Sequence, residues 1–114
     1  MAELGKTDAI LAALAHMAET IDARAGAEPD TSYTAKLLAK GERKCAQKLV
    51  EEAGELAIAL VSEGEEEVAG EAADLLYHLL VGLRSRGIGL EAVAGKLAAR
   101  QGVSGLAEKA SRKE

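Results

Sequence analysis

The sequence is poor in the residues that form strands, disulfides and turns. It contains no Phe or Trp, two Tyr, one proline (Pro29) and one cysteine (Cys45). A single cysteine excludes an intrachain disulfide and a zinc site built on several thiolates. No apolar run approaches the roughly 18 residues of a membrane-spanning helix, and Glu3, Gly5 and Asp8 interrupt any signal-peptide pattern. We therefore expect a cytoplasmic protein.

The residues that are present favour helices. The chain has 24 Ala and 16 Leu against 6 Val and 4 Ile, and its length of 114 residues suits one domain, 1–114, with no room for a second. We therefore predict a single all-α domain. Because an Ala-rich core buries little apolar area per helix, self-association is favoured as a source of further burial. The net charge of −5 disfavours nonspecific binding to nucleic acid or anionic membranes.

Capping residues, glycines and apolar spacing predict a bundle of four to five helices. The only clear linker surrounds Pro29, and residues 103–114 are expected to fray. The predicted helices begin near Thr7 and fade around Ala23 to Ala27, then run from Tyr33 to Lys40 after a Ser32 or Thr31 cap, from Glu42 to Ser62, from Glu65 to about Arg86, and from Leu90 to Gln101.

Acidic pairs border the apolar stripe on both long helices. Glu52 and Glu55 are spaced i, i+3 on the first, and Glu71 and Asp74 repeat that layout on the second. If the stripes pack antiparallel, four carboxylates converge at the edge of a shared core. The predicted core sectors contain Leu49, Ala53, Leu56, Ala57 and Leu60 on the first helix, and Val68, Ala72, Leu75, Leu76, Leu79 and Leu83 on the second.

Four converging carboxylates repel one another and lose hydration, which is costly unless a cation compensates. An all-oxygen ligand set suits Mg²⁺, with Mn²⁺ as a possible substitute. Such a site can cleave a phosphoanhydride by neutralising charge, positioning substrate and activating water. The alternative is that these acids form a solvated surface with basic partners, as the i, i+4 spacing of Lys48 and Glu52 allows.

Other polar residues have both a functional and a purely structural interpretation. His78 is either a base or, as we favour, a residue hydrogen-bonded locally, and Cys45 is expected to be a small buried residue. The helix start at Ser32, Tyr33 and Thr34 is an anion site or simple capping. A basic cluster is either a solvated face or a receptor for a phosphorylated substrate; it comprises Lys36, Lys40, Arg43, Lys44 and Lys48.

Three blocks of the sequence resemble the phosphoribosyl-ATP pyrophosphohydrolase family. They are Ser-Tyr-Thr-Ala-Lys-Leu-Leu at 32–38, Ala-Gln-Lys leading into Glu-Glu-x-x-Glu at 46–55, and Gly-Glu-Ala-Ala-Asp-Leu-Leu-Tyr-His-Leu-Leu at 70–80. The tail at 104–112 is also similar, so the resemblance covers nearly the whole chain. The acidic motifs belong to the wider all-α nucleotide pyrophosphohydrolase superfamily, whereas the first and third blocks are more specific.

The resemblance implies the second step of histidine biosynthesis, in which phosphoribosyl-ATP is hydrolysed to phosphoribosyl-AMP and pyrophosphate with Mg²⁺. It also implies an intertwined homodimer whose two subunits build the sites. Carried over by position, it makes Glu52, Glu55, Glu71 and Asp74 metal ligands. It also implies that Glu51 is an outer-shell or water-orienting residue and that Lys48 contacts phosphate. We predict Glu51, Glu52 and Glu55 as the catalytic residues, and to Lys48 we add as predicted substrate-binding residues Ser32, Tyr33, Thr34, Lys36 and Lys44.

Some relatives are fused to a cyclohydrolase, which needs cysteine-bound zinc and a further domain. With one cysteine and 114 residues, this sequence is expected to be the stand-alone form. Two alternatives remain open at this point. One is a house-cleaning nucleoside triphosphate pyrophosphohydrolase with the same acids and a different base pocket. The other is a non-catalytic helical dimer whose acids are merely solvated.

Overall fold

The computed structural model describes residues 2–102, with side chains from Asp8 onward. No strand occurs within that range, so the all-α prediction is confirmed. None of the helices in this part of the chain combines the length and the hydropathy needed to cross a membrane. Residues 103–114, for which a fraying tail is predicted, lie outside the described residues. The helices are α1 (Ala2–Arg24), α2 (Tyr33–Lys40), α3 (Glu42–Ser62), α4 (Glu65–Ser85) and α5 (Leu90–Ala99).

Two predicted helix boundaries are wrong. Helix α1 begins at Ala2 rather than near Thr7, because the residues before Thr7 include good helix formers and prolong the helix. Helix α5 ends at Ala99 rather than Gln101. The N–H groups of Arg100 and Gln101 donate to carbonyls three residues back, each at 3.2 Å, so the chain tightens into a turn there.

Both ends of the short helix α2 are fixed by local chemistry. The Ser32 hydroxyl accepts a hydrogen bond from the Ala35 N–H at 3.1 Å, which identifies Ser32 rather than Thr31 as the cap. At the other end Gly41 has φ 94°, a left-handed conformation that favours glycine, and its N–H donates to the Leu38 carbonyl. The two caps therefore hold Tyr33 in the first turn, directly after the linker.

Helices α3 and α4 form the main helix pair. They make the most extensive helix–helix contact and are joined by only Glu63 and Gly64, so they run antiparallel. Helix α2 packs on both of them, and α1 packs on α4 and α2. An ion pair of 2.7 Å between Arg84 and Asp22 also joins α4 to α1. The buried core cluster consists of Ile21, Leu37, Cys45, Leu80 and Val81.

The buried line of α3 differs from the predicted core sector. Cys45, Glu52 and Ala59, spaced seven residues apart, are buried. Leu49 and Leu56 are half-buried, whereas the predicted core residues Ala53, Ala57 and Leu60 are exposed. The reason is that α3 carries apolar residues on two opposite sides, and α4 covers only one of them. Glu52 thus lies between the helices rather than at the border of the contact, whereas Glu55 is exposed.

Helix α4 shows the same displacement. Its fully buried residues are His78, Leu80 and Val81. The predicted core residues of α4 are all only half-buried within the described chain; they are Val68, Ala72, Leu75, Leu76, Leu79 and Leu83. A substantial apolar surface on α4 is therefore left incompletely covered.

Helix α3 carries an apolar surface that the described chain leaves exposed, and we call it the outer face of α3. Val61 is 86% exposed and Val50 is 72% exposed, although both lie in a regular helix with apolar neighbours. By helical geometry Val50 and Val61 lie opposite the buried line of the same helix, and Ile58 and Leu60 lie on its two flanks. The outer face of α3 consists of Val50, Ile58, Leu60 and Val61.

The core cluster predicts a large effect for one truncation in α2. Leu37 is 3% exposed, so Leu37→Ala removes buried apolar contacts and leaves a cavity. We expect the free energy of unfolding, measured by urea denaturation, to fall by about 2–5 kcal/mol. The matched control is Leu97→Ala, in which the same atoms are lost at a residue that is 63% exposed. Equal effects of the two substitutions would contradict the position of the core.

Candidate active site

Three glutamates from α3 and α4 face one another. One carboxylate oxygen from each of Glu52, Glu55 and Glu71 lies within 4.8 Å of the other two. Glu52 is buried, Glu71 is half-buried and Glu55 is exposed, so the group extends from the helix interface outward to solvent. The i, i+3 spacing puts Glu52 and Glu55 on adjoining turns of α3, and the antiparallel partner brings Glu71 opposite them. We call this group the carboxylate cluster.

Within the cluster, Glu71 is the carboxylate whose ionised form is disfavoured by its surroundings. Its Oε1 atom is buried and has no hydrogen-bond partner. Partial withdrawal from water raises the pKa of Glu71, and the neighbouring charges of Glu55, Asp74 and Glu52 raise it further. The cluster therefore favours binding a proton or a cation.

The donor set of the cluster fits a hard divalent ion. It offers only carboxylate oxygens, and the unpartnered buried oxygen of Glu71 is one of them. Hard cations such as Mg²⁺ prefer oxygen ligands, and Mg²⁺ retains water or phosphate oxygens at its remaining positions. The exposed side of the cluster at Glu55 leaves room for such additional ligands.

Asp74 lies one turn beyond Glu71 on α4 but is not among the residues that form the cluster within the described chain. Its side chain is exposed, and its charge still contributes to the raised pKa of Glu71. Asp74 is thus within electrostatic reach of the cluster. Its role as a metal ligand stays a prediction.

Lys48 and Glu51 form a polar flank on α3. Lys48 Nζ lies 3.2 Å from Glu51 Oε1 and 3.9 Å from Glu52 Oε2. The hydrogen bond to Glu51 is the main cause that raises the pKa of Lys48, so its ammonium stays charged. Hydrogen bonds from Gln47 and Lys48 lower the pKa of Glu51. A fixed positive charge therefore lies directly beside the carboxylate cluster.

The other predicted binding residues are distributed around α2 and the start of α3. Ser32 is buried and acts as a cap, and Thr34 is buried with its Oγ1 2.5 Å from the Tyr77 hydroxyl. Tyr33 is 51% exposed. Lys36 is exposed and Lys44 is half-buried. The structure thus brings Tyr33 and Thr34 to α4, while Ser32 uses its hydroxyl oxygen for the backbone.

The predictions for His78 and Cys45 are confirmed. His78 Nδ1 lies 2.9 Å from the Asp74 carbonyl, a local hydrogen bond. Cys45 is 2% exposed, its thiol lies 3.5 Å from the Leu37 carbonyl, and burial raises the pKa of the thiol more than a hydrogen bond with Ser85 lowers it. A protonated, buried thiol is a poor nucleophile.

Tyr77 is the residue that sequence reasoning missed. Its ring is close to those of Tyr33 and His78, with centroid distances of 6.4 Å and 5.0 Å respectively. One signal in the sequence pointed to it: the chain has only two tyrosines, and one of them follows the Glu-x-x-Asp motif by three residues.

The fold and the site together define a class of protein. An antiparallel helix pair whose acids face one another beside a lysine fits the resemblance to the all-α nucleotide pyrophosphohydrolases. Comparison with known proteins agrees with that class. Residues 14–101 match the model of a family described as phosphoribosyl-ATP pyrophosphohydrolase.

Individual relatives are similar over most of the chain. The phosphoribosyl-ATP pyrophosphatase of Dinoroseobacter shibae is 52% identical over 102 residues, which cover 90% of this chain and 100% of that protein. The pyrophosphatase of the same name from Cereibacter sphaeroides is 54% identical over 99 residues, or 87% of this chain and 96% of that protein. This chain belongs to the phosphoribosyl-ATP pyrophosphohydrolase family.

A third relative is longer than this chain. The histidine biosynthesis bifunctional protein HisIE of Wolinella succinogenes is 49% identical over 112 residues, which cover 98% of this chain. The chain spans about half the length of that protein, since the match covers 49% of it. Similarity thus extends to a bifunctional protein as well as to proteins of this chain's length.

The carboxylate cluster predicts a change in stability for Glu71→Gln. Because the pKa of Glu71 is raised on folding, ionisation of Glu71 opposes folding: its destabilising effect is absent below the ordinary carboxyl pKa of 4.5 and complete above the raised value. In metal-free solution at neutral pH, we expect the variant to have a higher Tm than the wild type. At acidic pH below 4.5 the two should melt alike.

Added Mg²⁺ should raise the Tm of the wild type and have less effect on Glu71→Gln, because binding to the folded state stabilises it. The matched control is Glu19→Gln, an exposed acid of α1 outside the cluster. A lower Tm for Glu71→Gln in chelator at neutral pH would show that this carboxylate makes a favourable contact, which would contradict the repulsion described above.

Proposed function

We propose that this protein hydrolyses phosphoribosyl-ATP to phosphoribosyl-AMP and pyrophosphate, a step of histidine biosynthesis. Membership of the family supports this activity, and so do the names of the relatives from Dinoroseobacter and Cereibacter. The observation that carries the proposal is the carboxylate cluster with the unpartnered buried oxygen of Glu71. We propose further that residues 1–114 form one domain and that the protein acts in the cytoplasm.

The proposed cofactor is Mg²⁺, with Mn²⁺ as a substitute. Glu52, Glu55 and Glu71 would hold the ion, and Asp74 would complete the set from its position one turn along α4. A bound divalent ion supplies charge neutralisation for the phosphates and activation of a water molecule. The acids fit this role because each is an oxygen donor and their mutual repulsion is relieved by a positive charge.

The proposed catalytic residues are Glu51, Glu52 and Glu55. One glutamate of this group accepts a proton from the water that attacks phosphorus, and pyrophosphate leaves with the electron pair of the broken phosphoanhydride bond. Glu51 also holds Lys48 through their 3.2 Å contact. Lys48 keeps its proton and donates hydrogen bonds to a phosphate oxygen, which lowers the cost of the charge that develops there.

The proposed substrate-binding residues surround that lysine. Lys48 and Lys44 lie on α3, and Lys36 is exposed on α2, so each offers a cation to the phosphates or to the phosphoribosyl group. Ser32, Tyr33 and Thr34 lie at the α2 N-terminus. Backbone N–H groups and the helix dipole there favour an anion, and we assign this end of α2 to the phosphoribosyl group rather than to the triphosphate.

We propose that the protein is a homodimer and that the outer face of α3 is covered by a second copy. Within this face Val50 and Val61, the latter at 86% exposure, lie opposite the buried line of α3, so α4 of the same chain cannot cover them. The half-buried apolar residues of α4 leave further apolar surface incompletely covered. Large exposed apolar surface is a mark of protein interfaces.

The direct test of the activity is pyrophosphate release from phosphoribosyl-ATP, with and without chelator. We expect hydrolysis by the wild type with Mg²⁺ and loss of it in chelator. Glu52→Gln should lower kcat/KM roughly 100-fold or more, since even outer-shell partners of a metal cost 10–100-fold when they are removed. Circular dichroism would show that the variant remains folded.

The control is Glu19→Gln, which should retain full activity. A panel of ordinary nucleoside triphosphates separates the proposed substrate from those of a house-cleaning enzyme. Preference for a plain deoxynucleotide would overturn the proposal. Full activity of Glu52→Gln, or full activity of the wild type in chelator, would also overturn it.

The proposed dimer predicts the outcome of Val61→Asp. In an isolated monomer this change at an 86% exposed residue should be nearly neutral, within about 0.5 kcal/mol. In a dimer it places an unpaired charge in an apolar interface, so we expect dissociation, measured by sedimentation velocity. Leu97→Asp, a similar change in α5, should leave the assembly intact. A wild-type monomer at all concentrations would refute the interface.

A further inference from the structure

The two tyrosines of this protein lie in contact with each other. The chain has two Tyr and no Phe or Trp. The rings of Tyr33 and Tyr77 are stacked, with an interplanar angle of 20° and centroids 6.4 Å apart. His78 presents its ring edge-on to both, at 6.2 Å from Tyr33 and 5.0 Å from Tyr77. We call these three residues the aromatic cluster.

Hydrogen bonds hold the aromatic cluster in a defined orientation. The Asp74 carbonyl can only accept, so His78 Nδ1, at 2.9 Å, donates to it. The Tyr33 hydroxyl lies 3.5 Å from His78 Nε2, at the long end of hydrogen-bonding range. The Tyr77 hydroxyl is 2.5 Å from Thr34 Oγ1. Both tyrosines are therefore anchored at their hydroxyl ends.

Tyr33 remains open despite these anchors. It is 51% exposed, whereas Thr34 beside it and His78 beneath it are buried. An anchored aromatic ring with half of its surface in solvent loses little conformational entropy when a second flat ring stacks on it. That property distinguishes Tyr33 from an ordinary core tyrosine.

The aromatic cluster lies at one end of the carboxylate cluster. His78 follows Glu71 by seven residues on α4, which places it on the same helix face, about 10 Å further along the axis. Lys48 lies one turn from Glu52 towards the α3 N-terminus, with its ammonium 3.9 Å from Glu52. Because α3 and α4 run antiparallel, this is the end of the helix pair at which His78 and its contact Tyr33 lie. A molecule that extends from the carboxylate cluster past Lys48 is therefore directed towards Tyr33.

We propose that Tyr33 is the base-binding residue of the site and stacks on the purine ring of the substrate, with Tyr77 and His78 as its positioning residues. This inference rests on the proposed function and assigns to one residue the recognition of the base. A nucleoside triphosphate has its charged phosphates at one end and its flat base at the other. The site has the same order, from the carboxylates through Lys48 to an exposed aromatic ring.

The test separates recognition of the base from recognition of the phosphates. Tyr33→Ala should raise KM for phosphoribosyl-ATP about 5- to 150-fold, the range expected for loss of one base–aromatic stack. Inorganic tripolyphosphate has no base, so its inhibition constant should be the same for the variant and the wild type. Tyr33→Phe keeps the ring, so its KM for phosphoribosyl-ATP should lie between those of the wild type and Tyr33→Ala. Leu97→Ala is the matched control for the loss of exposed apolar surface.

Two results would overturn the inference. One is an unchanged KM for Tyr33→Ala in a folded protein. The other is an equal rise in KM and in the tripolyphosphate inhibition constant, which would place Tyr33 at the phosphates instead. Circular dichroism melting of Tyr33→Ala checks the fold, and we expect little change at this half-exposed position.

If the wild type does not hydrolyse phosphoribosyl-ATP, the proposed function fails and the stacking inference is judged by binding alone. Because the chain lacks Trp, its intrinsic fluorescence comes from Tyr33 and Tyr77 only. Quenching by adenosine monophosphate but not by ribose 5-phosphate, corrected for absorption by the base, would support stacking. Equal responses to the two ligands, or none to either, would contradict it.

Discussion

Mutual repulsion between carboxylates is the constraint on which the site depends. Helices α3 and α4 gain stability by packing together, yet their contact forces Glu52 and Glu71 to face each other with Glu55 at the rim. An apolar residue at position 52 or 71 would satisfy the packing without this cost. The fold thus retains an arrangement that is unfavourable for the free protein. Such an arrangement is explained if a cation relieves it in the functional state.

The same helix pair also explains why one chain leaves so much apolar surface open. Helix α3 uses Cys45 and Ala59 to pack inward, and between them it presents Glu52 rather than an apolar side chain. The inward line is therefore narrow and partly polar, and the larger aliphatic residues Val50 and Val61 lie on the opposite side. A helix that is apolar on two sides is characteristic of a buried helix. A second copy supplies the missing cover in the assembly that we propose.

Much of the fold follows from the sequence, because the signals that mark helices are local. Ser32 and Gly41 delimit α2 by capping and by a positive φ, and the limits of α3 agree with the prediction. The wheel arrangement also predicted that Glu52, Glu55 and Glu71 approach one another. The wheel arrangement was wrong about the buried side of α3. Ala53, Ala57 and Leu60 are apolar and were predicted to lie in the core, but they are exposed. Periodicity identifies an apolar face but not the chain that covers it.

The contact between Tyr33 and α4 was beyond the reach of periodicity for a different reason. It joins residues 43 to 45 positions apart, through the pairs Thr34–Tyr77 and Tyr33–His78. No local rule predicts a pair at that separation, because its existence depends on how α2 turns at Gly41 and crosses α3 and α4. This crossing brings the half-exposed Tyr33 ring against His78, which lies on the same face of α4 as Glu71. The short capped helix thereby adds the exposed ring of Tyr33 to Tyr77 and His78, which α4 already carries on from Glu71.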